Sequence, residues 1–284
     1  MLRLVWVLPG VILLGWMGCG EKPAEYGGEL PKQVYGRVIS LSPSITELMA
    51  MLNLEKILIG RTAVDDSPQS IVDIPIVANP RPDFERIMAI RPDLVLADKH
   101  LLNPADEKRL RELNLNLKII EIDSVEDWKR TVLELGNLFL EQSLASRKVD
   151  EVDEAIARAK SDPIEPKPKV LVAMGGSQPW VAGTDSFQAD VVRNAGGEYV
   201  GPKADKFVQV TPEQIIAWNP DIVFVSDDPS MYYKDKAWSL TEAGKRKRII
   251  GVKANLILRP GARVADLIDS LYGEMKRQMS GGRT

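Results

Sequence analysis

One pattern, present once in each half of the chain, restricts the fold more than any other feature. Residues 85–97 read ERIMAIRPDLVLA and residues 213–225 read EQIIAWNPDIVFV. Glu, Ile, Ala, Pro, Asp and Val recur at the same offsets. In each copy a short helix must stop ahead of the proline, because the residue before proline is pushed out of the α region. A continuous apolar run then follows, which reads as a strand buried on both faces. Two copies of a helix–Pro–Asp–strand unit predict two similar lobes with a cleft between them, and such clefts are common ligand sites. Chance recurrence of an ordinary unit is the alternative.

The segments around these copies fit an α/β chain. Strands are expected at Val38–Leu41, Ile57–Gly60, Ile74–Val77 and Leu117–Ile122 in the first half, and at Lys169–Met174 in the second. Ser42-Pro43-Ser44 reads as a turn and cap before a helix over Thr46–Leu52, and Asn103-Pro104 and Thr211-Pro212 as cap-plus-proline helix starts. Ser186–Asn194 reads as a helix closed by Gly196-Gly197, and Arg263–Met279 as the C-terminal helix. From Ser124, apolar or small residues recur every three or four positions as far as Ile156. This predicts one linker helix over 124–162 of about 35 residues, or about 50 Å, with Gly136 as a possible break. The fold class is therefore α/β, with two Rossmann-like lobes (37–123 and 163–284) joined by a single long α-helix and a ligand cleft between them.

The formal net charge of −3 excludes a general nucleic-acid binder, which needs a basic excess. The short basic run Lys245–Arg248 reads as a solvated face. At the N-terminus, Arg3 precedes an apolar stretch from Leu4 to Trp16. It is too short to span a membrane, which takes about 20 residues, and suits an export signal over 1–19. The stretch ends at Met17-Gly18-Cys19, and Cys19 is the only cysteine in the chain, so it has no internal disulfide partner. Residues 20–36 read as a tether.

The sequence carries no evident catalytic set, phosphate-binding loop or nucleophile elbow. His100 is the only histidine; as a base it lacks an obvious partner, and a metal cage normally draws on several such ligands. No metal site and no cofactor are expected. Trp180, in Gln178-Pro179-Trp180, offers a flat apolar surface with an N–H handle; Phe207, Tyr232, Tyr233 and Trp238 also stand in loop-like context. A cleft enzyme using His100 or Asp65-Asp66, and a metal-chaperone or sensor lipoprotein, are the rival classes.

From about Arg37 to Arg277 the chain resembles the helical-backbone (class III) substrate-binding proteins of ABC importers for cobalamin and iron-siderophores. The resemblance rests on RVISLSPSITELMAMLNL, FERIMAIRPDLVLA, QPWVAGTDSFQADVVRNAGGEYVG, VTPEQIIAWNPDIV and RPGAR, in that order. It implies two lobes on a rigid helix with small opening motions. It implies a small-molecule cargo, a corrinoid first and a ferric siderophore or heme next, delivered to an ABC transporter permease dimer. Glu85 and Glu213 match the carboxylates that meet permease arginines, and Trp180, Phe207, Asn255 and Arg259 match cleft contacts. Asp98, Val64 and Asn79 fall where corrinoid binders often carry aromatic residues. Arg61, Arg81, Lys99 and Arg259 are available for an anionic ferric chelate, and Tyr232, Tyr233 or His100 for heme iron. The N-terminal segment resembles a lipobox, which implies lipidation at Cys19, with ordinary cleavage or an uncleaved anchor as alternatives. An exported, membrane-anchored, non-enzymatic monomer is expected.

Overall fold

A computed structural model of the chain describes residues 35–176 and 179–280. The export signal, Cys19, most of the tether, Ser177 and Gln178 lie outside the described residues. The described residues belong to one compact unit. Its first sheet holds β1 (Val38–Ser40), β2 (Leu58–Thr62), β3 (Ile76–Ala78), β4 (Leu94–Asp98) and β5 (Leu117–Ile120), all parallel, in the order β3-β2-β1-β4-β5. Helices α1 (Pro43–Met51), α2 (Phe84–Ile90) and α3 (Pro104–Glu112) connect these strands. Asn103 caps α3 by accepting from the Asp106 N–H, as its Asn-Pro start requires. Ser42 occupies the N-cap position of α1 but makes no side-chain cap; its hydroxyl turns to Ser44 and Asp98 instead.

The linker is two helices, α4 (Val125–Leu138) and α5 (Gln142–Ser161), where one was expected. They fold back on each other. A Cβ built on Gly136 would stand 2.4 Å from the Ala145 Cβ, and Lys129 pairs with Asp153, so the positions facing each other run antiparallel. Leu140 adopts φ 62 at the corner, and its side chain is 56% exposed. The three-to-four spacing continues on both sides because both helices present an apolar face to the same core. Only α5, with 20 residues, about 30 Å long, is the extended element.

The second sheet is mixed, and the described residues supply β6 (Lys169–Met174), β7 (Trp180–Ala182), β8 (Glu198–Tyr199), β9 (Phe207–Gln209), β10 (Ile222–Val225) and β11 (Ile249–Gly251). The order is β11-β10-β6-β7-β9, with β8 also on β6; β7 runs antiparallel to both β6 and β9. Trp180 and Phe207, read above as loop residues, are therefore strand residues. Helices α6 (Phe187–Asn194), α7 (Pro212–Trp218), α8 (Pro229–Tyr233), α9 (Lys236–Leu240), α10 (Glu242–Lys245), α11 (Ala254–Ile257) and α12 (Val264–Ser280) complete this half.

The repeated motif is repeated in space. Ile87 and Ile215 are both buried, at 0% and 1%. Arg91 and Asn219 end their helices in the left-handed region at φ 46 and 43. Asp93 and Asp221 donate their N–H groups to the Arg37 and Lys169 carbonyls, both at 2.8 Å. Their carboxylates in turn accept from Gly36 N at 3.0 Å and Lys169 N at 2.8 Å. Each copy thus hangs a buried strand, β4 or β10, beside the first strand of its sheet, β1 or β6.

Gly136→Ala should drive a methyl group into Ala145 and part α4 from α5. Overpacking of this kind costs about 1–3 kcal/mol, so the thermal midpoint should fall by several degrees. Unchanged melting would mean that the two helices do not touch there.

Candidate functional site

In parallel α/β sheets, ligands collect at the carboxyl ends of the strands. Here the two such edges face each other. Arg259, which follows α11 in the second half, donates to Asp66 Oδ1 at 2.5 Å and to the Val64 carbonyl at 3.2 Å, both just past β2 in the first half. Behind this contact lies Glu47 of α1, only 2% exposed. Its carboxylate meets Arg259 at 3.5 Å and Arg263 at 3.6 Å and accepts from Ala262 N at 3.3 Å. Trp128 of α4 donates its indole N–H to the Gly261 carbonyl at 2.8 Å. The segment Arg259–Arg263 is therefore clamped between the halves. Burial pushes the Glu47 carboxyl above the usual carboxylate range, and the two arginines with the Ala262 N–H only partly offset it.

On the first-half wall, the lining of a pocket of about 290 Å³ includes apolar Leu41, Val64 and Leu101 and polar Asn79, Arg81 and Asp106. Asp98, at the end of β4, accepts from His100 N at 2.8 Å and from the Ser44 and Ser42 hydroxyls at 3.4 and 3.5 Å. Burial raises its pKa despite these partners. His100 Nε2 lies 2.7 Å from Asp123 Oδ1, and with Glu121 these groups place ligand-type atoms within 4.8 Å of one another. Glu121 is also paired with Lys99.

On the second-half wall, β7 begins at the edge where β6 ends, with Trp180 opposite Met174 on one side and Gln209 on the other. Phe207 lies two residues from Gln209 on β9 and so shares the face of Trp180, diagonally adjacent. Trp180 is 43% exposed and Phe207 half-buried. Met231, exposed, packs over Gly176 with its Cε 2.7 Å from where a Cβ would stand. Asn255 is half-buried; its carbonyl accepts from Arg263 at 2.7 Å, and its carboxamide has no hydrogen-bond partner among the described residues.

The candidates named from sequence thus divide. Val64 and Arg259 touch; Trp180 and Phe207 share one strand-pair face; Asp98 stands at the end of β4 and Asn255 in α11, which follows β11. Glu85 and Glu213 lie apart from these, at the starts of α2 and α7. The four cations offered for an anionic chelate all have partners. Arg61 is buried and donates to the Thr62, Asp65 and Val72 carbonyls, while its Nε has no partner among the described residues. Arg81 forms a two-point pair with Asp106, Lys99 pairs with Glu121, and Arg259 pairs with Asp66. Of the tyrosines, Tyr232 is fully buried with its hydroxyl 2.9 Å from Asp227, while Tyr233 OH exchanges hydrogen bonds with the Ile249 backbone. Sequence reasoning missed Glu47 and the exposed rim residues Leu101 and Met231. Glu47 carried a signal, as the one charged residue in the run PSITELMAM.

The periplasmic binding protein family matches residues 38–256, and the chain belongs to it. It is a solute-binding protein and not an enzyme. The uncharacterized ABC transporter substrate-binding lipoprotein YvrC of Bacillus subtilis (strain 168) is 24% identical, over 83% of this chain and 80% of the relative. The high-affinity heme uptake system protein IsdE of Staphylococcus aureus (strain bovine RF122 / ET3-1) is 24% identical over 77% and 74%. The vitamin B12-binding protein of Yersinia pestis (strain Pestoides F) is 28% identical over 71% and 73%. The solved periplasmic vitamin B12 binding protein BtuF of Vibrio cholerae superposes with a TM-score of 0.76 at 18% identity, covering 86% of this chain and 98% of that one. The apo periplasmic heme-binding protein RhuT from Roseiflexus sp. RS-1 gives 0.74 at 22%, with the same coverage. At these identities the two structures speak for the two-lobed fold alone.

Two outcomes follow from the buried acids. Glu47→Ala should cost about 2–3 kcal/mol in denaturant unfolding. That is less than the ~3–5 kcal/mol of a fully buried pair, because Arg259 and Arg263 keep 21% and 31% exposure. Asp98 binds its proton more tightly folded than unfolded, so its contribution to stability falls as pH rises from about 4 through its raised folded value. Asp98→Asn should flatten that decline in unfolding curves taken between pH 4 and 7; an unchanged slope would place the effect elsewhere.

Proposed function

We propose that this chain is the exported, Cys19-lipidated substrate-binding component of an ABC importer, and that its ligand is a corrinoid. The importer role is supported by the family match and by relatives that carry that role in their names. The carrying observation for the ligand is that Arg61, Arg81, Lys99 and Arg259 are each already bound to an acid or to backbone carbonyls. A tightly held anionic ferric chelate would have to compete with those partners. A corrinoid instead needs apolar walls and hydrogen-bond handles, and its metal takes no obligatory ligand from the protein. Trp180, Phe207, Val64, Leu101 and Met231 supply walls on both sides, and Asp98 and Asn255 supply the polar contacts. On this reading Glu85 and Glu213, exposed in equivalent copies of one motif, meet cations on the permease.

Heme is the second reading, favoured by the likeness to IsdE and by the placement of His100 just past β4. Against it stand the engagement of both nearby tyrosine hydroxyls and the tie between His100 Nε2 and Asp123.

Calorimetric titration of residues 31–284 with cyanocobalamin, hemin and a tris-catecholate ferric siderophore tests the choice. One-to-one cyanocobalamin binding is expected, weakened ~10-fold or more by Trp180→Ala, since a buried aromatic anchor is commonly worth over 1 kcal/mol. Hemin binding that His100→Ala abolishes, with no heat from cyanocobalamin, would overturn the corrinoid assignment.

A further inference from the structure

Two short helices, one in each half, present the same exposed patch. On α2, Glu85, Met88 and Ala89 face solvent while Ile87 is buried; on α7, Glu213, Ile216 and Ala217 face solvent while Ile215 is buried. Positions i, i+3 and i+4 lie on one helix face, so each patch is a carboxylate beside an apolar side chain over a small one. Met88 is 42% exposed and Ile216 41%. A single exposed apolar residue needs no explanation. Here the same feature recurs at the same offset of a repeated motif, beside the same acid. The core does not require it, because Ile87 and Ile215 already anchor the two helices.

The mounting is equivalent as well. Both helices start with a side-chain cap, from Asp83 and Thr211, and both end in a left-handed residue followed by proline. Each then leads, through three residues, into a buried strand, β4 or β10. The α2 N-terminus follows β3, at the carboxyl edge of the first sheet. The α7 N-terminus follows β9, which runs parallel to β6 because β7 is antiparallel to both. The two patches are therefore mounted at equivalent places, one in either half.

We infer that Met88 and Ile216 are paired anchor residues of one docking surface, whose partner presents two equivalent sockets, each combining a cationic side chain with an apolar pocket. Such a partner is a two-fold pair of identical membrane subunits. The inference rests on the importer reading above and adds the apolar half of the interface. Exposed carboxylates steer and orient an encounter, while apolar anchors set how long it lasts.

The test uses the full chain in the cells that make it. A photo-crosslinking benzoyl-phenylalanine is placed at position 88, at position 216, or at exposed Glu154 on α5 as control. Positions 88 and 216 should each give an adduct with the same membrane protein, and position 154 none. Met88→Gln with Ile216→Gln should then weaken binding to that protein in nanodiscs at least tenfold while leaving the cyanocobalamin affinity unchanged. Adducts at only one position, adducts with two different proteins, no adduct at all, or undiminished binding of the double variant would each overturn the inference. If Glu85→Ala with Glu213→Ala abolishes coupling to an importer and the apolar double variant does not, the importer reading stands and this inference fails. If 88 and 216 capture one dimeric membrane protein that is no importer, the surface stands and the importer reading fails.

Discussion

A charged group on an apolar helix is a liability unless something crosses to meet it. Glu47 is that group. Every α1 residue from Pro43 to Ala50 is buried, and the carboxylate cannot turn to solvent without lifting the helix. The partners come from the far end of the chain: two guanidiniums and an N–H from the segment 259–263. Gly261 belongs to the same fit, since a Cβ there would stand 2.3 Å from the Glu47 carboxylate. Trp128 holds the Gly261 carbonyl from the third side. The facing of the two sheet edges, and so the cleft, depends on this junction. An opening motion that withdrew Arg259 and Arg263 would strand a desolvated acid, which favours small adjustments over wide hinge closure.

The duplicated motif has a comparable economy. A proline ends the helix, a left-handed residue turns the chain, and an aspartate ties the next strand to its neighbour. The same sequence signal thus sets strand order in both sheets. The helices ahead of the two strands take the same pose as a by-product, which places Glu85 with Met88 and Glu213 with Ile216 as matched features without any further constraint.

Local signals were legible where local physics decides. Asn103-Pro104 and Thr211-Pro212 each begin a helix with the expected side-chain cap, and Ser124 and Ser186 cap the helices that they begin. The buried strands β4, β6 and β10 were legible as continuous apolar runs. The linker was not, because periodicity reports which residues face a core and is silent on whether the axis reverses. Two antiparallel helices sharing a core at Gly136 and Ala145 give the same spacing as one straight helix. The antiparallel pair β7 and β9 was missed because each strand has three residues, too few for alternation to register. Of the site, the strand-end positions were legible through the motif. The pairing state of Arg61, Arg81, Lys99 and Arg259 was not, because the Val72 carbonyl, Asp106, Glu121 and Asp66 reach them through packing between elements.

That pairing state joins the junction to the choice of ligand. Arg259 stands at the cleft and would be the natural contact for an anionic group. It is also the residue that reaches Asp66, the Val64 carbonyl and Glu47 across the two halves. An anion could recruit it only by competing with those partners, and success would loosen the contact that brings the walls together. A ligand bound through apolar faces makes no such demand: Trp180, Phe207 and the aliphatic wall near Val64 and Leu101 can close on it while Arg259 keeps its place. Under the proposed reading, the arginine serves the cleft by fixing its width, and selectivity against anionic chelates follows from the same bonds.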